Sequence, residues 1–271
     1  MNYSDSVNKN LRDQIDLAVK ANIHIPEFIK IDTYEQMESA LLHPDLIVRE
    51  NFAFKKTDGV KVGFCAWFNG ERFVNFVGVV REDYQFAGNQ GKRLDDNIVM
   101  IYGMNRDVCI NNYKKISKVI KERDPGFKGF VQVNVYLKND LYWYDYIQFG
   151  AQPEIIMNYF NLVDDNIKKF DEPLFFNKRY AASLRIFPLH WQYGFVIPED
   201  EFEFVSDIWD VRYEKRNGFF IASASDNNIK DTWKKIYEKI ESIEKFNYFY
   251  RIDGSDVCKK NFHYIKKNNL V

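Results

Sequence analysis

Two long runs of strand-forming residues, FKGFVQVNVYL (127–137) and LYWYDYIQFG (141–150), stand on either side of the short polar segment KND. Aromatic and β-branched residues of this density suit a pleated, half-buried surface. The second run ends at Phe149-Gly150, and Pro153-Glu154 follows after two residues. A glycine followed closely by a proline predicts that the strand stops there in a turn. The two runs are therefore predicted to be consecutive strands, with KND as the turn between them.

The N-terminal third alternates helix and strand patterns. Apolar residues recur every three or four positions near the start and predict a helix, and Thr33 with Gln36 forms a capping-box pattern that begins a second helix in TYEQMESALL. Between and after these helices we expect a short strand, EFIKI (27–31), and a buried strand, LIV (46–48). The periodic residues of the first helix are Val7, Leu11, Ile15 and Ala18.

The remaining segments predict strands, one long loop and two further helices. Residues 52–80 read as a three-stranded meander with a hairpin turn at Asp58-Gly59, and the polar residues 81–97 predict a long loop. A helix around 113–120 ends at DPG, and a C-terminal helix carries an apolar stripe from Ile229 to Ile243. C-terminal strands are expected near 181–189, 203–212 and 218–224, and the end KKNFHYIKKNN is expected to be solvated. Sheets with packed helices give the α+β class.

Composition narrows the class of protein. The 271 residues carry 38 Lys plus Arg against 39 Asp plus Glu, so the basic excess typical of nucleic-acid binders is missing. Three separated cysteines, Cys65, Cys109 and Cys258, indicate reduced thiols rather than a disulfide framework. We expect a soluble, cytoplasmic protein, because the sequence has no apolar signal core or membrane-length segment. Frequent Asn, Lys, Ile, Tyr and Phe indicate an AT-rich genome, bacterial or phage.

Motifs of common enzyme classes are missing from the sequence. It contains no GxxxxGK[ST], GxGxxG, HExxH or GxSxG pattern. The four histidines are scattered, and no residue pattern indicates zinc, haem or another metal. Assignment of a function therefore depends on longer stretches.

Four stretches, taken in order, resemble glycinamide ribonucleotide synthetase (phosphoribosylamine–glycine ligase), a family of ATP-grasp enzymes. NKNLRDQIDLAVKANIHIPEFIKIDTYEQMESALL is similar to that family's helix–strand–helix segment, and FKKTDGVKVGFCAWFNGERFV to its strand pair. GFKGFVQVNVYLKNDLYWYDYIQFGAQPEI resembles the segment that ends in EFNxRFGDPE. The C-terminal stretch from FFIASAS to YRIDGSD resembles the RVLgVta to RxDIG region.

The resemblance implies a reduced ATP-grasp-like core over residues 1–162, a linker at 163–180, and a small C-terminal α/β subdomain at 181–271. It also implies ATP and Mg²⁺ as cofactors. In this family ATP phosphorylates the carboxylate of glycine, and the amine of phosphoribosylamine displaces the phosphate. The family's N-terminal domain has no counterpart in this chain, and most of the nucleotide lid is missing, so we expect either a shortened enzyme or a separate subunit that supplies these parts.

Site residues follow from the same alignment. Arg49, in LIVREN, aligns with a family lysine and is predicted to be catalytic and, with Glu50, nucleotide-binding. Asp145 is predicted to be a metal ligand. The residues predicted to bind substrate are Gln148, Gly150, Glu154, Asn217, Arg251 and Asp253.

The strand at 144–150 admits two registers. Alignment on Phe149-Gly150 places Tyr144 and Tyr146 at the family's metal positions, whereas alignment on Pro153-Glu154 places Asp145 and Ile147 there. One extra residue separates the registers, and a one-residue slip reverses the face of every side chain on a strand.

Three functions are compatible with these residues. The first is an ATP-dependent ligase that joins a glycine-like amino acid to an amine on a nucleotide or modified base. The second is a catalytically inactive pseudoenzyme that binds a nucleotide-like ligand. The third, less favoured by the neutral net charge, is a nucleic-acid-binding or base-modifying protein with Trp143 and Tyr146 as stacking surfaces. No membrane partner is expected.

Overall fold

The structure, a computed structural model, describes residues 11–57, 60–82, 98–103, 106–138, 141–151, 153–163, 170–188, 208–213, 217–242 and 248–267. Its helices are α1 (Leu11–Lys20), α2 (Tyr34–Leu42), α3 (Arg106–Arg123), α4 (Pro153–Val163), α5 (Ile229–Glu241) and α6 (Gly254–Lys267). Its strands are β1 (Phe28–Lys30), β2 (Leu46–Arg49), β3 (Phe52–Lys55), β4 (Val60–Phe68), β5 (Phe73–Glu82), β6 (Ile98–Gly103), β7 (Gly129–Lys138), β8 (Leu141–Phe149), β9 (Tyr180–Pro188), β10 (Ile208–Tyr213), β11 (Asn217–Asp226) and β12 (Tyr248–Phe249).

The combination of helices and antiparallel sheets confirms the predicted α+β class. The chain divides into two compact units, the first formed by 1–76 and 105–150 and the second by 77–104 and 151–271. These bounds differ from the predicted ones at 162 and 181. The reason is that α4 packs on β6, β9 and β11 and so belongs with the C-terminal strands.

The first unit contains a small sheet and a group of longer strands. The small sheet has the antiparallel order β1-β3-β2, and a core of Ile31, Ala40 and Ala53 joins it to α2. The Thr33 hydroxyl accepts a hydrogen bond from the Gln36 backbone N–H, and the Gln36 side-chain oxygen accepts one from the Thr33 backbone N–H. These two bonds confirm the predicted capping box. Among the longer strands, β7 pairs antiparallel with both β4 and β8.

Several sequence predictions differ from the structure. The predicted three-stranded meander at 52–80 does not form, because β3 pairs with β1 and β2 in the small sheet whereas β4 lies between β5 and β7. The segment 46–48 forms β2 as expected, but its residues are only half-buried because β2 is an edge strand of the small sheet. The C-terminal segment, expected to be a solvated end, forms α6, which buries Cys258 and Ile265 and packs on α5. The predicted turns at Asp58-Gly59 and within KND, and most of the predicted loop at 81–97, lie outside the described residues.

The second unit is a sheet with α4 and α5 packed on it. The strand order is β10-β11-β9-β6-β5, each neighbouring pair is antiparallel, and β12 also pairs with β9. Helix α4 begins at Pro153, a residue that favours the first helical position because its missing N–H needs no partner there. Sequence reasoning interpreted this proline as part of a turn and missed the helix. None of the helices in the described ranges is long and apolar enough to cross a membrane.

The glycine of the RIDGSD segment allows α5 and α6 to pack closely. Gly254 is the first residue of α6, and a Cβ added there would lie 2.4 Å from the ring of Trp233, a fully buried side chain of α5. Its backbone N–H donates to the Tyr237 hydroxyl at 3.1 Å. Burial raises the pKa of Tyr237 to about 12, so this hydroxyl stays protonated at neutral pH.

We expect Gly254→Ala to destabilise the protein by about 1–3 kcal/mol, because the added methyl group overpacks a buried indole that has no space to move. The measurement is urea unfolding followed by tryptophan fluorescence. Gly103→Ala is the matched control, since a Cβ at this exposed position meets none of the described atoms within 4 Å. Equal stability of the two variants would contradict the packing role of Gly254.

Candidate functional site

A β-bulge in β8 determines where the predicted metal ligand lies. In the register of β7 and β8, Asn134 pairs with Tyr146 and Val135 pairs with Tyr144, so Asp145 is an extra residue without a cross-strand partner. A bulge of this kind bends a strand locally and redirects the side chain of the inserted residue. The carboxylate of Asp145 is consequently buried, with 1% of the side chain exposed.

Arg49, at the end of β2, holds this bulge. Its Nη2 donates to Asp145 Oδ1 at 2.5 Å, and its Nη1 donates to the Asp145 backbone carbonyl at 2.9 Å. The guanidinium thus neutralises a buried charge and also satisfies a carbonyl of the bulged residue. Arg49 was predicted to bind nucleotide and Asp145 to bind metal. The fold brings them into direct contact although they are 96 positions apart in sequence.

Glu50, the second predicted nucleotide-binding residue, lies next to this pair but contacts a different element. Its backbone is in the left-handed region, with φ of 50°, an uncommon conformation for a residue with a side chain. Its carboxylate accepts from the Leu11 backbone N–H at 3.2 Å, at the first described residue of α1. A negative charge at a helix N-terminus stabilises the helix dipole, so Glu50 helps to fix α1.

Neutral amide side chains occupy one face of β7 and β8. Cys65, Gln132 and Gln148 pair in one row across β4, β7 and β8, and cross-strand partners share a face of the sheet. The next residue on this face of β7 is Asn134, whose Oδ1 accepts from Gln132 Nε2 at 3.4 Å. Sequence reasoning found Gln148 but missed the two buried amides of β7. The sequence pattern that could have revealed them is the alternation of Gln132 and Asn134 with valines in FVQVNVY, which places both amides on one face of the strand.

Gly150 ends this strand in a conformation that requires glycine. Its φ is +89°, in the region that side chains disfavour, and its N–H donates to the Phe130 carbonyl at 2.7 Å. A structural requirement therefore accounts for the glycine. Nearby on β8, Trp143 lies 5.6 Å from the His24 ring, centroid to centroid, and the Tyr146 side chain lies outside what the structure describes.

In the second unit, Glu154 forms a buried ion pair that sequence reasoning did not foresee. Arg185 Nε, on β9, donates to Glu154 Oε1 in the first turn of α4, and both side chains are at least nine-tenths buried. An isolated buried charge would be costly, and the Arg185 guanidinium compensates it at Glu154. The pair joins the helix to the sheet.

Further polar residues continue along the same helix. Asn158 lies one turn after Glu154, and its Nδ2 donates to Ser183 Oγ at 3.1 Å. Asn161 Nδ2 donates to Ser223 Oγ on β11 at 2.7 Å. Residues 154, 158 and 161 share one helix face, which makes the contact between α4 and the sheet polar along its length.

The other predicted substrate residues lie elsewhere in the second unit. Arg251 donates to both oxygens of Asp253, at 2.9 and 2.6 Å, just before α6. This bidentate contact holds the pKa of Asp253 below its usual range. Asn217 and Gly218 begin β11 and pair with Tyr213 and Arg212 of β10. Their register is known, while the Asn217 side chain lies outside the described parts.

The arrangement around Asp145 does not fit a magnesium ion held by the protein. Mg²⁺ is usually bound through one or two carboxylates together with phosphates and waters. The Asp145 carboxylate already has the Arg49 guanidinium against it, and a second cation there would be repelled. Within the described ranges, moreover, no group of three His, Cys, Asp or Glu side chains has the arrangement of a metal site.

Comparison with known proteins gives a likeness in structure and none in sequence. No family model and no curated protein matches the chain. Phosphoribosylamine–glycine ligase from Thermotoga maritima matches with a TM-score of 0.61 at 11% identity, over 88% of this chain and 75% of that one. N5-carboxyaminoimidazole ribonucleotide synthetase from Thermus thermophilus matches with a TM-score of 0.51 at 10% identity, over 88% and 73%.

A third neighbour was solved with a nucleotide. The biotin carboxylase domain of Hydrogenobacter thermophilus 2-oxoglutarate carboxylase, in complex with MgADP, ADP and bicarbonate, matches with a TM-score of 0.55 at 10% identity, over 94% of this chain and 72% of that one. These neighbours are ATP-grasp enzymes. The chain has the ATP-grasp-like fold that its resemblance to the glycinamide ribonucleotide synthetase family predicted.

We expect Glu154→Gln to lower the free energy of unfolding by about 3 kcal/mol, because it leaves the Arg185 charge buried without its counter-ion. Equilibrium unfolding in urea measures the effect. Glu241→Gln, an exposed change in the same unit, should be neutral, and the double variant Glu154→Gln/Arg185→Met should recover part of the loss. Full stability of Glu154→Gln would instead leave the carboxylate available for the predicted substrate role.

Proposed function

We propose that this chain is a ligase-type ATP-grasp protein that binds an adenine nucleotide. The observation that carries the proposal is the shared fold, which extends over 88% of the chain with phosphoribosylamine–glycine ligase. A neighbour of the same fold was solved with MgADP. The reaction class that fits such a fold is ATP-dependent joining of a carboxylate, here of a glycine-like amino acid, to an amine on a nucleotide or modified base.

The proposal assigns the nucleotide to the first unit. Arg49 keeps about a third of its side chain exposed while it holds Asp145. A guanidinium is planar and always charged, and its geometry matches the oxygens of a phosphate, so Arg49 is the residue proposed to contact the nucleotide phosphates. Glu50 positions the segment that carries Arg49. The residues predicted to bind the amino-acid substrate stay predictions, with Gln148 and Gly150 in the first unit and Glu154, Asn217, Arg251 and Asp253 in the second.

We expect ATP and ADP to raise the melting temperature of the protein, and isothermal titration to give a measurable Kd, with GTP as the specificity control. The double variant Arg49→Met/Asp145→Leu removes both charges together, a change that buried pairs often tolerate. It should weaken ATP binding about tenfold or more, a loss of about 1.4 kcal/mol. Arg123→Met, which removes an exposed arginine of α3 in the same unit, should bind as the wild type does. Absence of any heat or thermal shift with ATP would contradict the proposal.

A second candidate is binding of the nucleotide without ligation. The contact between Arg49 and Asp145 favours it, because the carboxylate predicted to hold the metal is engaged by a guanidinium. Phosphoryl transfer depends on positioned positive charge that offsets the charge of the phosphates. The two candidates share the nucleotide and differ only in the chemistry that follows.

Hydroxylamine distinguishes the candidates without knowledge of the natural amine, since it captures an acyl phosphate as a hydroxamate. If the chain ligates, ATP, Mg²⁺, glycine and hydroxylamine should together yield glycine hydroxamate and ADP in equal amounts. Binding without ligation predicts no hydroxamate above a control that lacks protein, although the same sample still binds ATP by titration.

A further inference from the structure

The amide face of the first unit consists of one thiol and three amide side chains, those of Cys65, Gln132, Gln148 and Asn134. Strands β4, β7 and β8 contain a single carboxylate residue between them, Asp145. That residue is the bulge, and Arg49 holds its side chain. These three strands therefore offer a divalent cation no second carboxylate.

Two buried donors on this face lack an acceptor among the described residues. Asn134 is only 2% exposed, and its Oδ1 already accepts from Gln132, whereas its Nδ2 finds no partner within the described part of the chain. The indole Nε1 of Trp143 is likewise buried without an acceptor among the described residues. Trp143 pairs with Tyr136, two residues along β7 from Asn134, so both groups belong to the same face.

Hydrogen-bond donors and acceptors in a binding site favour different kinds of ligand. A metal ion needs oxygen acceptors, whereas an amide or indole N–H needs an acceptor such as a phosphate, carboxylate, ribose or carbonyl oxygen. A buried donor without a partner costs free energy, and a ligand oxygen would remove that cost. The Asn134 amide is thus suited to an oxygen of the ligand itself and unsuited to a cation that accompanies it.

We propose that the first unit binds its nucleotide without a divalent cation, with Asn134 Nδ2 as a donor to a nucleotide oxygen. This inference rests on the proposed nucleotide-binding function. It deepens the second candidate, because a nucleotide bound without Mg²⁺ lacks the charge compensation that transfer of its terminal phosphoryl group requires. The ligand class is an adenine nucleotide as the free anion.

The first experiment is isothermal titration of the wild-type protein with ADP, once with excess Mg²⁺ and once with EDTA. The expected result is that the two Kd values agree within about threefold. A Kd that is lower with Mg²⁺ by more than this factor would overturn the inference and leave the nucleotide-binding function intact. No binding in either buffer would overturn both, so the two failures are distinguishable.

The second experiment exchanges the donor for an acceptor. Asn134→Asp should weaken ADP binding in EDTA by about tenfold, and Mg²⁺ should restore part of it, because the new carboxylate repels the phosphates unless a cation intervenes. Asn111→Asp, the same change at an exposed position of α3, should have no effect. If Asn134→Asp binds ADP in EDTA as tightly as the wild type, Asn134 is not the donor and the inference fails.

A direct metal measurement covers the case in which Asn134→Asp does not fold. Electron paramagnetic resonance of Mn²⁺ added to the wild-type protein without nucleotide should show only the free aqueous ion. Loss of that signal at protein concentrations in excess of Mn²⁺ would reveal a protein-held metal site and would overturn the inference.

Discussion

The contact between the bulged residue Asp145 and Arg49 connects the two sheets of the first unit. Asp145 interrupts the pairing of β7 and β8, and Arg49 then binds both its carboxylate and its carbonyl. The contact fixes the small sheet of β1, β2 and β3 against the long strands, since Arg49 ends β2. A bulge that is stabilised by a charge from another element is not a defect of pairing. Here it joins two sheets of the same unit and at the same time takes the Asp145 carboxylate out of the regular ladder of β7 and β8.

An arginine–carboxylate ion pair also joins two elements of the second unit. Glu154 of α4 and Arg185 of β9 form an ion pair that is buried at both ends, and Asn158 and Asn161 extend the polar contact along the helix. Ion pairs of this kind add little net stability compared with apolar packing, but they are strongly destabilising when one partner is lost. They also specify geometry, because a guanidinium and a carboxylate meet in few orientations. Each unit thus contains an arginine–carboxylate pair whose carboxylate is buried and which joins a sheet to a neighbouring element.

Local patterns were sufficient for much of the fold. The capping box of Thr33 and Gln36, the apolar stripe of α5 and the strand pair of β7 and β8 each depend on nearby residues, and the structure has all three. The features that the sequence did not predict depend on contacts between residues far apart in the chain. Pro153 reads as a turn unless α4 has a sheet to pack on, and the tail at 259–267 reads as solvated unless α5 buries its apolar residues. The ion pairs were equally hidden, because Arg185 lies 31 positions from Glu154 and Arg49 lies 96 from Asp145.

The two registers that the sequence allowed for β8 differed by one residue, and that residue is Asp145 itself. After the bulge, Ile147 pairs with Val133 and Gln148 with Gln132, so the pairing is regular from there to Phe149. Before the bulge, Tyr144 pairs with Val135 and so falls on the opposite face from Gln148. The bulge at this point moves the only carboxylate of β8 out of the ladder and towards Arg49. One bulged residue thus places the carboxylate of Asp145 against Arg49 while Gln148 stays paired with Gln132 in the regular part of the strand.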